Sequence, residues 1–162
     1  MIELRPMRAH EFSECIDLFI RTCTADHMRT DGATEAQALA HVRESLGKLL
    51  PQGAATPEHY FYTVHCLERD ARVGTVWVGV LAGKTAKARM AHVFDIHIDE
   101  PFRRMGYAKQ AFRAIEPIVR ELGLNEIGLH VFGFNDHAYA LYRQLGYRPT
   151  HISMAKSLDA GE

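Results

Sequence analysis

Between Val93 and Leu122 the hydrophobic period of the chain changes once, and a basic, glycine-containing turn sits at the change. Val93, Phe94, Ile96 and Ile98 form an apolar, largely β-branched run of strand length that stops at Asp99-Glu100-Pro101. Arg103-Arg104-Met105-Gly106-Tyr107-Ala108 follows, and then Ala108, Ala111, Phe112, Ile115, Val119 and Leu122 recur at helical spacing. The order is buried strand, basic turn, amphipathic helix. A helix start leaves backbone N–H groups unpaired and carries positive partial charge, which makes it a seat for phosphate. Gly106, without a Cβ, lets the backbone come close to an anion. Arg103 and Arg104 add charge that pairs with phosphate oxygens. The stretch reads equally as a pyrophosphate cradle or as a solvated turn between strand and helix.

The remaining elements set this unit in a single domain spanning residues 1–162, since a chain of 162 residues is long enough to bury a core of its own. Ile2-Glu3-Leu4-Arg5-Pro6 alternates and ends at proline, as a short first strand does. Phe12, Cys15, Ile16, Phe19 and Cys23 fall on one helical face, where the cysteines serve as small core hydrophobes. Thr24 to Thr34 reads as a polar connection with a turn at Asp31-Gly32. Thr34 and Gln37 form a capping box for a second helix with its stripe at Leu39, Val42, Leu46, Leu49 and Leu50, ended by Pro51 and Gly53. Three antiparallel strands then follow: Tyr60 to Val64, Val73 to Leu81 after a hairpin at Glu68-Arg69-Asp70, and the strand of the basic unit after a turn at Gly83 to Lys87.

Within the long helix, Pro117 predicts a kink or an early end. Gly123 closes its exit. Ile127 to Phe132 is a strand that arrives after a helical crossover and so runs parallel to the Val93–Ile98 strand. Gly133 breaks it. Asn135 or Asp136 caps a last helix with Ala138, Leu141, Tyr142 and Leu145 on one side, ended by Gly146. Tyr147 to Leu158 closes the sheet as one or two short strands. An exposed sheet edge near this end would permit a homodimer.

Composition and motifs narrow the class. The formal charge is −1, which does not favour a nucleic-acid or anionic-membrane partner. No apolar run reaches spanning length, and Met1-Ile2-Glu3-Leu4-Arg5 is unlike a signal peptide. Cys15, Cys23 and Cys66 are odd in number and widely spaced, which suits a reducing, cytoplasmic compartment. Neither the cysteines nor the histidines have metal-ligand spacing, so no metal is expected. A dinucleotide or P-loop fold lacks its glycine motifs here.

Arg103-x-x-Gly106-x-Ala108 resembles the Q/R-x-x-G-x-G/A signature of the GCN5-related N-acetyltransferase (GNAT) family, in which that loop holds the pyrophosphate of acetyl-coenzyme A. Leu129-x-Val131, Asn135, Ala138, Leu141-Tyr142 and Gly146-Tyr147 resemble the family's second signature, and Met154 and Lys156 fit its closing strand. The first ninety residues match only in the order of elements, and that half of the family's fold usually faces the acceptor.

The resemblance implies a mixed α/β domain: a mainly antiparallel sheet of about six or seven strands with about four helices, splayed between strand 90–98 and strand 126–132. It also implies direct transfer of acetyl from acetyl-coenzyme A to a primary amine of a small molecule, peptide or protein N-terminus in a ternary complex. The coenzyme would lie against Ile96, His97 and Ile98, on the loop Arg103, Arg104, Met105, Gly106, Tyr107, Ala108 and Lys109, and near Asn135, Ala138 and Tyr142. The N–H of Ile98 or a neighbour would polarise the thioester carbonyl. One such donor is worth about 3 kcal/mol.

By the same resemblance, Tyr142 stands where a tyrosine protonates the departing thiolate, and a phenol of pKa near 10 can donate while staying protonated at neutral pH. His130 is the first choice for the base, five residues before Asn135, because histidine titrates close to neutral pH. His92 is second, and Asp95, a carboxylate inside an apolar strand, is third. His97 alternates with Ile96 and Ile98 and reads as packing, and Asn135 reads equally as a helix cap. Neutralising a lysine at pH 7 takes about 4–5 kcal/mol and an α-amine about 1, so a histidine base suits an α-amine or a low-pKa small amine. The central strand carries no glutamate, which leaves open a catalytically weak acyl-coenzyme A sensor or partner module.

Overall fold

The computed structural model describes residues 1–82 and 89–158. Its elements follow the order β1 (Ile2–Pro6), α1 (Ala9–Asp31), α2 (Glu35–Leu49), β2 (His59–Cys66), β3 (Ala71–Leu81), β4 (Met90–Ile98), α3 (Tyr107–Glu121), β5 (Ile127–Leu129) and α4 (Asp136–Gln144). The strands form one sheet in chain order, β1-β2-β3-β4-β5. The first four pair antiparallel, and β5 pairs parallel to β4 after the α3 crossover.

Alternation along β2, β3 and β4 sends one set of side chains to each face. Val64, Val76, Val78, Ala91 and Val93 pack against Ala111, Phe112, Ile115 and Val119 of α3, with Leu141 and Tyr142 of α4 beside them. The opposite face is aromatic. Phe61, Trp77 and Phe94 stack in a row, with centroids 5.3 Å and 4.7 Å apart, under Phe12, Ile16 and Phe19 of α1 and Leu46 and Leu49 of α2. Trp77 has no solvent exposure, and its indole N–H is satisfied by His59 Nδ1 at 3.0 Å.

Local signals hold the helix ends. The Thr34–Gln37 capping box forms as the spacing predicts, and Gly32, Gly123 and Gly146 adopt left-handed backbone where their helices stop. Four expectations are corrected. Helix α1 does not stop near Cys23 but runs to Asp31. Thr22 and Thr24 return their hydroxyls to Leu18 O and Ile20 O, and His27 bonds Asp31 one turn on, so the polar letters belong to a helix packed on α2. Helix α3 runs through Pro117, which is exposed, so the carbonyl it orphans faces water. Strand β5 ends at Leu129 rather than Phe132, and a turn bonds Asn135 N–H to Phe132 O. Residues 147–158 form no strand, Pro149 having no N–H to give a ladder, and the sheet has five strands rather than six or seven. The turn expected at Gly83 to Lys87 lies outside the described residues. Among the described residues no helix is long and apolar enough to cross a membrane.

Candidate active site

Two irregularities in β4 create the site. Trp77 pairs with Asp95 while Val78 pairs with Val93, so Phe94 is an extra residue, a β-bulge. Cross-strand partners share a face. Asp95 therefore lies on the Trp77 face, and so does Phe94, which stacks on that indole. The second irregularity is the parting of the sheet. The β4–β5 ladder has rungs at Ala91–Ile127, His92–Gly128 and Val93–Leu129, and none beyond. The strands separate at the bulge, and Ile96, His97 and Ile98 stay bonded to β3 on their other side. A groove of about 1280 Å³ follows β5, lined by His92, Leu129, His130, Phe132 and Tyr142, and meets β4 only at Met90 and His92, short of the step where the strands part.

At the far end of β4 the chain turns into α3. Arg104 and Gly106 both take positive φ, +64° and +81°. The glycine is needed for that conformation rather than for room, since a Cβ there would meet nothing within 4 Å. The turn leaves the N–H groups of residues 104 to 109 without a backbone acceptor among the described residues, the first helical bond being Gln110 N–H to Gly106 O at 3.2 Å. Arg103 Nε donates to Ile98 O at 2.9 Å, which ties the turn to the end of β4. Tyr107 is buried, its hydroxyl 3.3 Å from Cys66 Sγ, so the side chain anchors the helix and only its backbone faces the turn. Met105 and Arg104 are exposed. A diphosphate fits this set of amides and guanidinium groups.

The titratable groups gather around the splay. Burial pushes the Asp95 carboxyl up to about 6 against a single backbone hydrogen bond from Ile96 that favours the anion. Its charge is felt on three sides. With burial as the larger cause, it pushes up the thiols of Cys15, to about 11, and Cys23, to about 12, and it adds to the burial that raises the Tyr142 phenol. Tyr142 stands edge-on to Phe112 at 5.3 Å. His92 is lowered by burial and then by the neighbouring charge of His130. A Cβ on Gly128 would run into the Met90 methyl and come within 3.6 Å of His92 Nδ1, so the missing side chain makes the space these two occupy. His130 is exposed and stands edge-on to Phe132, centroids 5.1 Å apart.

His92, His130 and Tyr142 therefore line one groove, while Asp95 lies buried on the Trp77 face under α1 and reaches Tyr142 through its charge. Asn135 caps α4 by accepting from Ala138 N–H at 3.2 Å, which uses its carbonyl oxygen and leaves its amide nitrogen free to donate. His97 is half-buried, 3.9 Å from Asp99, and is lowered by burial first. Sequence reasoning missed a second cluster of side chains. His27 of α1 lies 5.0 Å from the His41 ring of α2 and 5.9 Å from Phe132, Phe132 stacks on Phe134, and the Arg29 guanidinium sits 4.0 Å over Phe134. These residues come from distant segments, and no local pattern joins them.

A sequence model of the Acetyltransferase (GNAT) family matches residues 20–147. YycN of Bacillus subtilis (strain 168), named an uncharacterized N-acetyltransferase, is 33% identical over 97% of this chain and 99% of its own length. YdgE of the same strain, named likewise, is 27% identical over 96% and 97%. The crystal structure of YycN superposes with a TM-score of 0.88 at 30% identity, covering 98% of this chain and 99% of that one. An acetyltransferase fold from Pyrococcus furiosus superposes at 0.69, with 21% identity over 98% and 100%. The chain belongs to the acetyltransferase (GNAT) family and is an enzyme of that class.

Proposed function

We propose that the protein moves the acetyl group of acetyl-coenzyme A directly to a primary amine, with both substrates held at once in the β4–β5 splay. The observation that carries this reading is the conjunction of unpaired amides at residues 104–109 with a β4–β5 ladder that ends at Val93–Leu129 and leaves that side of Ile96, His97 and Ile98 without a strand partner. The α3 amides and the guanidinium groups of Arg103 and Arg104 bind the diphosphate. Ile96, His97 and Ile98 hold the coenzyme arm along their free side, and the N–H of Ile98 or its neighbour donates to the thioester oxygen as it becomes negative.

The proton account needs an acceptor for the amine and a donor for the thiolate. Asp95 supports the first role, since a carboxyl pushed to about 6 is ionised at pH 7 and still basic enough to accept. His92 and His130 line the groove along β5 and are the alternative acceptors, taking the proton through water. Tyr142 supports the second role, because burial and the Asp95 charge keep its phenol protonated. The amine must arrive neutral, which takes about 1 kcal/mol for an α-amine and about 4–5 for a lysine. The acceptor is accordingly an α-amine or another amine of low pKa.

Thiol release from acetyl-coenzyme A across a panel of α-amino and ε-amino acceptors tests the reading. Turnover with an α-amine is expected, and Tyr142→Phe is expected to lower kcat about 100-fold while the KM for acetyl-coenzyme A stays within about 2-fold. Binding without turnover on the whole panel would instead identify a coenzyme sensor. Undisturbed amide resonances from Arg103 to Lys109 on addition of coenzyme A would end both readings.

A further inference from the structure

The basic turn is strung between side-chain anchors at its entry and its exit. Arg103 ties the entry to Ile98 O of β4, and Tyr107, the first residue of α3, sends its side chain into the core at the exit. Between them Arg104, Met105 and Gly106 are exposed, so no buried side chain holds the turn from within. The exit anchor is more than apolar packing. The Tyr107 hydroxyl donates to Cys66 Sγ at 3.3 Å, and the Cys66 thiol donates in turn to Glu68 Oε2 at 3.3 Å. The other Glu68 oxygen accepts from the ammonium group of Met1. Donation runs from the phenol through the thiol to a carboxylate, so each bond polarises the next. The sulfur itself is fixed. Cys66 is buried, and its strand pairs through Ile2 on one side and Ala71 on the other.

Phenylalanine would fill the Tyr107 space without a buried hydroxyl that needs a partner, so packing alone does not account for the oxygen. What the oxygen can fix is the setting of the first turn of α3. The N–H of Tyr107 is one of the free amides of residues 104 to 109, and a side chain held at its far end restricts the backbone at its near end. Gly106 just before it, at φ +81° and without a Cβ, supplies no such restraint. We propose that Tyr107 and Cys66 are positioning residues for the coenzyme, a role that rests on residues 104–109 being the diphosphate seat. Their bond sets the direction in which the α3 amides meet the diphosphate, and both side chains act from inside the core.

Two ligands separate this role from general support of the fold. Coenzyme A carries the diphosphate and pantetheine does not, so only the first reads the seat. In NMR titrations the unmodified protein should bind coenzyme A more tightly than pantetheine. Tyr107→Phe and Cys66→Ala should each raise the Kd of coenzyme A about 5-fold, the net size of one hydrogen bond, and leave that of pantetheine within about 2-fold. The double variant should be no weaker than either single one, since both changes remove the same bond. Cys66→Ser, whose hydroxyl still accepts and donates, should restore the Kd of coenzyme A. An equal loss with both ligands would overturn the proposal, because the bond would then support the whole fold. So would an unmoved Kd for coenzyme A in the single variants, or a Cys66→Ser protein as impaired as Cys66→Ala. An unmodified protein that binds coenzyme A no better than pantetheine would overturn the seat itself, and the positioning role with it.

Discussion

Replacing Asp95 by asparagine should make the protein more stable and less active, and the two effects should follow pH differently. Asp95 titrates near 3.8 when exposed and near 6 in the fold, because burial beside the bulge penalises the anion. Two pKa units correspond to about 3 kcal/mol against the ionised form in the folded state. Below about pH 4 both states hold the proton and the penalty is absent. Between about pH 4 and 6 the unfolded chain releases the proton first, so rising pH lowers stability. Above about pH 6 the penalty is complete and constant. Asparagine keeps the shape and removes the ionisation, so the gain over the native protein should grow from near zero at pH 4 to about 3 kcal/mol at pH 7. Urea unfolding at unit steps of pH measures it, and other titrating groups cancel in the difference. In the same variant turnover should fall by about 100-fold or more, and the native bend in log kcat/KM near pH 6 should vanish. A stability difference that does not change between pH 4 and 7 would refute the buried-carboxylate reasoning.

Gly106→Ala should cost about 1–2 kcal/mol, since φ is +81° and nothing else obstructs a Cβ, and coenzyme A titrations should weaken in parallel. Glu11 is held down to about 2 by hydrogen bonds from the Arg8 side chain and backbone, so its stabilising effect is full above about pH 4.5 and is lost as pH falls toward 2. Glu11→Ala should cost about 1 kcal/mol at pH 7 in denaturant midpoints, as loss of a helix cap does, and progressively less as pH falls through 2. His130→Asn should raise the pKa of His92 by removing a neighbouring cation, leaving burial as its remaining depressor, and ring-proton NMR titration reads the change.

Much of this fold was legible because its elements announce themselves locally. The Thr34–Gln37 box, the alternation of Val73 to Leu81 and the strand–turn–helix around Gly106 each lie within a few residues. Two of the misreadings have one cause. Thr24 to Asp31 is polar because that turn of α1 packs on α2 instead of the sheet, and residues 147–158 look like a strand without having a neighbour within the chain. Periodicity reports what a segment is suited to bury, not against what.

Asp95 shows how a site residue can be written in the sequence and still be misplaced. Strict alternation from Val93 would put Asp95 on the α3 face and send Ile96 and Ile98 to the opposite one. The observed face instead holds Val93, Ile96 and Ile98 together, because Phe94 bulges and shifts the period by one residue. That shift puts Phe94 and Asp95 side by side under α1, and the ladder to β5 ends at the same step. The signal was present as two consecutive letters between apolar positions that should have been separated by one. Its meaning needed β3, since only the register against Trp77 and Val78 decides which face the carboxylate takes. One inserted residue thus ends the β4–β5 ladder and buries the acid together, and deleting Phe94 should undo both: β4 and β5 should gain protected amides beyond Leu129 in hydrogen exchange, and turnover should be lost. Unprotected amides there in a folded deletion variant would mean that the splay has another cause.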